Sequence, residues 1–384
     1  MISNKTKLLI LMKLLIVFIM LNIISCTKET TKIKNDHSVD FCVNFSDWPK
    51  LHKTEIISNT SIQTKDSNLI FLGVLNGASR KIFKTDTDGN QIWVYYLINT
   101  NTQQYCLNET SGGEIEILYC QGIDSVFYIK LSKDGTPLQN TTYIPIQKGQ
   151  ILKMLFSVEN KAIFVTKAVE GEMLIQKVIL QSPKIEKIQT IRLSFLSELA
   201  INQNGDIIIS GRNYETELIS LDKDLNFNWE QNMIHEKEHF NIRALDIYFE
   251  SNDNFILSTI SNYWQPDSVG EIQTQIIKYN SLGVPLWSNE FGCENFDMIP
   301  LDLVKNNNRY YVTGKKIERL SGKESFFLRC LDIQGKEVYT KVYEIVNSGN
   351  YTNNIFGISI NNLLIVHNTH KGVFLANVNQ FGEN

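Results

Sequence analysis

One turn flanked by two β-rich stretches recurs along this chain, and that repetition constrains the fold more than any other feature. The copies read KIFKTDTDGNQIWVYYL (81–97), FYIKLSKDGTPLQNTTY (127–143), LISLDKDLNFNWEQ (218–231), IIKYNSLGVPLWSNEF (276–291), FLRCLDIQGKEVYTKVY (327–343) and FLANVNQFGEN (374–384). A degenerate copy, LIQKVILQSPKIEKIQTIRL, fills 174–193. The turns centre on Gly89, Gly135, Lys184, Leu225, Gly283, Gly335 and Gly382, a period of roughly 49 residues. Four residues beyond the turns stand Trp93, Gln139, Ile188, Trp229, Trp287 and Tyr339, a repeated packing position.

Each unit also carries an earlier apolar run, such as LIFLG (69–73), AIFVT (162–166), DIIISG (206–211) or YYVTG (310–314). Before most of these lies another short apolar segment, such as ALDIYF (244–249) or DLVK (302–305). Runs of this length bounded by Gly, Asn, Asp and Ser are strand signals, and no segment carries a long helical stripe. Four strands per repeat, joined by turns, describe a propeller blade. The expectation is therefore an all-β, seven-bladed β-propeller of four-stranded antiparallel blades. The last repeat stops after its third-strand turn, so Phe41-Cys42-Val43-Asn44-Phe45 is expected to close the ring as the missing strand. Closure would remove exposed sheet edges.

The N-terminus reads differently. Lys5, Lys7 and Lys13 precede the apolar stretch Leu14–Leu21, which is short for a membrane-spanning helix, and Ile23-Ile24-Ser25-Cys26 follows. That tetrad resembles a bacterial lipoprotein signal. The resemblance implies removal of 1–25, lipidation of Cys26, a polar tether over 26–40, and a folded domain over 41–384. It places the protein in the bacterial cell envelope, anchored by lipid, most simply at the outer membrane. The repeats in turn resemble those of propeller lipoproteins of the Bacteroidota, and more broadly the quinoprotein-like and WD-repeat-like propellers. This resemblance implies a fold and no activity, because sites are grafted onto folds.

The chain of 384 residues has 37 Lys and Arg against 41 Asp and Glu, a net charge of -4. There is no basic excess to attract nucleic acid. The six cysteines include no CxxC, which argues against a redox motif or a cysteine zinc site. Whether Cys106 and Cys120 pair is open from sequence.

Candidate site residues fall in two loops. His235-Glu236-Lys237-Glu238-His239 matches H-E-x-x-H, which holds zinc only on a helix. About twelve residues between two strands leave little room for such a helix, so no metal site is expected, and His235 and His239 are the candidates if there is one. The loop Ser261–Ile272 carries Tyr263, Trp264 and Asp267, an aromatic and polar set suited to recognition. Both loops are expected on the same face of the ring. Trp93, Trp229 and Trp287 are expected to lock neighbouring blades rather than dock a quinone, and no cofactor is expected. The reading is a non-enzymatic, monomeric module binding an envelope protein or glycan. Its rivals are a hydrolase or lyase with a metal-assisted site on the loop face, and a structural accessory subunit of an outer-membrane complex.

Overall fold

A computed structural model describes residues 54–379, apart from 76–78, 87–89, 98–104, 122–124, 148, 158–160, 168–171, 213–215, 234–241, 252, 264–270, 293–294, 345–352, 360–361 and 370–371. Every element among the described residues is a β-strand, and no helix among them is long and apolar enough to cross a membrane. Blade 1 comprises β1 (Thr54–Gln63), β2 (Leu69–Leu75), β3 (Ser79–Thr85) and β4 (Gln91–Leu97). Blade 2 comprises β5 (Tyr105–Glu109), β6 (Ile115–Gln121), β7 (Ser125–Leu131) and β8 (Thr142–Ile144). Blade 3 holds β9 (Gln150–Ser157), β10 (Lys161–Lys167), β11 (Met173–Ile179) and β12 (Lys184–Ile191). In blade 4 come β13 (Phe195–Ile201), β14 (Ile207–Arg212), β15 (Thr216–Leu221) and β16 (Phe227–Asn232). Blade 5 follows with β17 (Ile242–Phe249), β18 (Phe255–Tyr263), β19 (Glu271–Tyr279) and β20 (Pro285–Phe291). Blade 6 is built from β21 (Phe296–Asn306), β22 (Arg309–Glu318), β23 (Glu324–Asp332) and β24 (Glu337–Glu344). Last come β25 (Asn353–Ser359), β26 (Asn362–Thr369) and β27 (Gly372–Asn379).

The structure is thus an all-β propeller with six four-stranded antiparallel blades, which corrects the expectation of seven. The final sheet, β25-β26-β27, has three strands, and it lies between blade 6 and blade 1. Among the described residues that last unit supplies three strands. The segment 41–45, expected to add the fourth, lies outside the described residues, as do 1–40 and the lipidation candidate Cys26.

First strands are innermost, because they are the strands that touch across blades. β1 meets β5, β5 meets β9, β9 meets β13, β13 meets β17, β17 meets β21, and β21 meets β25, which touches β1. The hydrophobic core is divided into clusters, one at each seam from blade 1 round to the final sheet. Alternation explains the division. On β14, Ile207 and Ile209 pack with Ile163, Val165 and Met173 of blade 3, whereas Ile208 packs with Ile247 and Phe255 of blade 5. Middle strands are covered on both faces, which is why they read as continuous apolar runs.

The repeated tryptophan reaches across the seam to the third-to-fourth-strand turn of the next blade. Trp93 Nε1 donates to the Lys133 carbonyl at 2.9 Å, Trp229 to Ser281 at 3.0 Å and Trp287 to Ile333 at 3.1 Å. Each indole lies over that turn's glycine: a Cβ on Gly135 would stand 2.7 Å from Trp93, and one on Gly283 would stand 2.9 Å from Trp229. The expected blade lock is borne out at these three seams.

At the seam between blades 3 and 4 both partners change. Ile188 stands in the tryptophan position, and the glycine position holds Leu225, fully buried at φ +60°. The missing indole donor is replaced by Lys177, whose Nζ donates to the Lys223 carbonyl at 2.5 Å. Without an indole lying over the turn, a side chain can fill the space.

Candidate binding site at the ring centre

The inner strands β9, β13, β17 and β21 each contain a β-bulge, and the residue just after it carries a charge. These residues are Lys153, Glu198, Asp246 and Asp302. A bulge adds one residue to one strand, kinks it and re-aims the side chain that follows. Because the inner strands neighbour one another, residues at this register meet their counterparts. Lys153 of blade 3 pairs with Glu198 of blade 4 at 2.5 Å. Asp246 of blade 5 accepts the Leu303 amide of blade 6 at 3.1 Å, and Asp302 accepts the same amide at 2.9 Å. Glu198 likewise accepts the amide of Leu199 at 3.0 Å. In blade 2 the same register, opposite Leu118, is held by Cys106.

Burial and the neighbouring Glu198 carboxylate push Asp246 up to about 7, against the opposing pull of Lys153 and two backbone amides. The sign of the resulting pH dependence is fixed. An acid whose folded pKa is raised stabilises the fold below its unfolded value, near 3.8, and that contribution is lost as pH rises toward 7. Replacing Asp246 with Asn is therefore expected to stabilise the protein at pH 8, by about 2 kcal/mol after allowance for solvent screening, with little change at pH 3. Chemical denaturation at the two pH values measures it, and equal midpoints for wild type and variant at pH 8 would contradict it.

Across the strand pair from these acids stand small hydroxyls: Ser210 opposite Glu198, Ser258 opposite Asp246 and Thr313 opposite Asp302. All three residues are buried, at 0%, 1% and 0% exposure, and their hydroxyls meet no hydrogen-bond partner among the described residues.

A cavity of about 280 Å³ opens between the first hairpin turns of blades 4 and 5. Asn202, Gln203, Asn204, Glu250, Ser251 and Asp253 supply its polar lining. Asp253 sits at φ +61° and is held there by the side-chain amides of Asn202 at 2.9 Å and Asn204 at 3.1 Å.

The predicted loop residues His235, His239, Trp264 and Asp267 lie outside the described residues. Tyr263 ends β18, opposite Glu271 on β19. The segment 234–241 joins β16 to β17 and 264–270 joins β18 to β19, so both loops connect strands of blades 4 and 5. No disulfide joins Cys106 and Cys120. Both carry thiols, which burial raises to about 11 and about 12.

The charged register at the ring centre is not among the residues nominated from the sequence. Its signal was an acid recurring inside otherwise apolar inner strands, in SELA (197–200), LDIY (245–248) and LDLV (301–304).

No protein-family model matches the sequence, and no curated protein is significantly similar to it. Among solved structures, the Dos1 propeller is similar with a TM-score of 0.54 at 11% identity, over 85% of this chain and 78% of that one. A protein of unknown function from Bacteroides caccae gives a TM-score of 0.42 at 12% identity, over 61% of this chain and 81% of its own. The likeness to the Dos1 propeller supports the β-propeller fold and nothing finer.

Proposed function

We propose that the chain is a lipid-anchored binding module of the bacterial cell envelope, recognising a protein or glycan without catalysing a reaction. One observation carries the binding reading: a polar-lined cavity lies between blades 4 and 5, the blades whose strands the two candidate loops connect. Glu198 and Asp246 at the centre, the cavity beside Asn204 and Asp253, and both candidate loops all belong to blades 4 and 5. A rigid framework that positions loops is the usual setting for recognition. The anchor rests on Ile23-Ile24-Ser25-Cys26 and the basic, apolar segment before it.

Two measurements test this. Palmitate labelling of the full chain is expected, and Cys26→Ser is expected to abolish it. Cross-linking of the full chain in cell envelopes is expected to capture a partner, with Tyr263→Ala/Trp264→Ala reducing capture about tenfold. Protease pretreatment of the envelopes removes the signal of a protein partner and spares that of a glycan. Capture unchanged by the loop substitutions would sink the reading.

A second reading is favoured by one observation. Asp246, raised to about 7 by burial and the neighbouring Glu198 carboxylate, could keep its proton near neutral pH as a general acid must. Hydrolysis or elimination on an envelope polymer, abolished by Asp246→Asn, would decide for it.

A further inference from the structure

We infer that the cavity between blades 4 and 5 binds a single pyranose ring of a neutral glycan, with its apolar face on Phe249 and Ala200 and its hydroxyls on Gln203, Asn204, Ser251 and Asp253. The inference deepens the binding reading above and rests on it, assigning a glycan rather than a protein to this cavity. The cavity lies between the β13–β14 and β17–β18 turns, at the end of β17 away from the segments 234–241 and 264–270. At about 280 Å³ it falls just below the roughly 300–1,000 Å³ of sites for drug-sized ligands, which suits one ring. Alternate residues of β17 build the apolar wall. Ile247 and Phe249 face blade 4 and share a cluster with Ala200, and Phe255 braces Phe249 with ring centroids 6.0 Å apart.

The polar side of the cavity has hydrogen-bonding capacity to spare. Gln203 and Ser251 are exposed, and their side chains meet no hydrogen-bond partner among the described residues. Asn204 donates to Asp253 at 3.1 and 3.2 Å, and its own Oδ1 accepts nothing among the described residues. Asp253 Oδ1 receives both Asn202 and Asn204, whereas Oδ2 receives Asn204 alone and keeps a lone pair open. Blade 4 amides thus fix a carboxylate of blade 5 without saturating it. The left-handed position that Asp253 fills in its turn is Gly113, Gly205, Ser67 or Asn307 in the other described blades, so blade 5 alone among them places an acid there. These open groups select the ligand class. They are mostly acceptors with a few donors, a set that hydroxyls match because each hydroxyl both donates and accepts. An anion would meet the Asp253 carboxylate. Of the two lining carboxylates, Glu250 is occupied by Lys278 and Lys305, which leaves a cation only Asp253. Among the described residues no three His, Cys, Asp or Glu side chains converge to hold a metal.

The methyl glycopyranosides of glucose, galactose and mannose are the probes, added singly to the full chain and followed by saturation-transfer NMR. At least one is expected to bind with a Kd of about 1 mM, the weak affinity of a small polar ligand. Gln203→Ala/Ser251→Ala removes two exposed side chains, so its denaturation midpoint is expected to match wild type while affinity falls about tenfold. Asp253→Gly, which suits the left-handed turn, is expected to abolish binding. No transfer to any of the three glycosides overturns the inference, as does binding unchanged in Gln203→Ala/Ser251→Ala. If the glycosides fail while loop-dependent capture in envelopes persists and is lost on protease pretreatment, the partner is a protein and this inference falls alone. Glycoside binding with capture insensitive to the loop substitutions keeps the cavity and discards the loops.

Discussion

Replacing Glu250 with alanine is expected to lower the unfolding free energy by about 3–5 kcal/mol, because it strands two lysines in a buried seam. Glu250 follows β17 and its side chain is 3% exposed. The Lys278 ammonium lies 2.6 Å from one carboxylate oxygen, and that of Lys305 lies 2.5 Å from the other. Tyr310 donates to Glu250 at 2.9 Å, while Lys278 donates to the Tyr310 hydroxyl at 2.9 Å. Burial alone would raise the Glu250 pKa. Hydrogen bonds from the two lysines and the tyrosine outweigh it and hold the carboxylate below its ordinary value. Its contribution is therefore present above the unfolded pKa near 4.5, and is lost as pH falls through the lower folded value. Urea denaturation at pH 7 measures the loss. Lys278→Met and Lys305→Met added to the alanine variant are expected to recover most of it, since removing all members of a buried ionic cluster is far milder than removing one. A loss below about 1 kcal/mol for Glu250→Ala would show that the cluster is solvated and contributes little.

Gly135→Ala is expected to cost about 3 kcal/mol, and most of that cost is expected to vanish when Trp93 is leucine. The glycine sits at φ +81°, where a side chain adds about 1 kcal/mol of strain. Its new Cβ would also lie 2.7 Å from the indole of Trp93, which would force the ring off the turn and break its bond to Lys133. A double-mutant cycle separates the two parts. In the Trp93→Leu background the substitution should retain only the backbone strain. Equal costs in both backgrounds would mean that the indole does not restrain the turn. The seam between blades 3 and 4 is the protein's own version of this experiment, with Leu225 accepting φ +60° where Ile188 replaces the indole.

Much of this was legible in the sequence, and the reason is periodicity. The strand runs, the glycine turns and the tryptophan four residues later repeat often enough that each copy supports the others. Trp93, Trp229 and Trp287 were read as blade locks because their offset from the turn is constant, and the indole bonds to Lys133, Ser281 and Ile333 are the physical content of that constancy. The blade count was harder to read. A repeat fixes how many units the sequence contains, but a four-stranded sheet requires four paired strands, and the last unit pairs only three among the described residues. The degenerate third repeat was also opaque. Its seam is restored by Lys177, a residue of β11 that precedes the turn and stands at neither the glycine nor the tryptophan position.

The sequence by itself determined the strand-and-turn unit, the buried middle strands and the lock position, because these depend on local spacing and on which residues tolerate a left-handed turn. Only the tertiary structure decided which polar residues meet. Glu198, Asp246 and Asp302 lie tens of residues apart and look unremarkable in their own strands. A bulge in each inner strand re-aims them, and the ring sets those strands side by side, so scattered charges become neighbours. Bulges leave little trace in a period of two, and contact between blades is a property of closure rather than of any one segment.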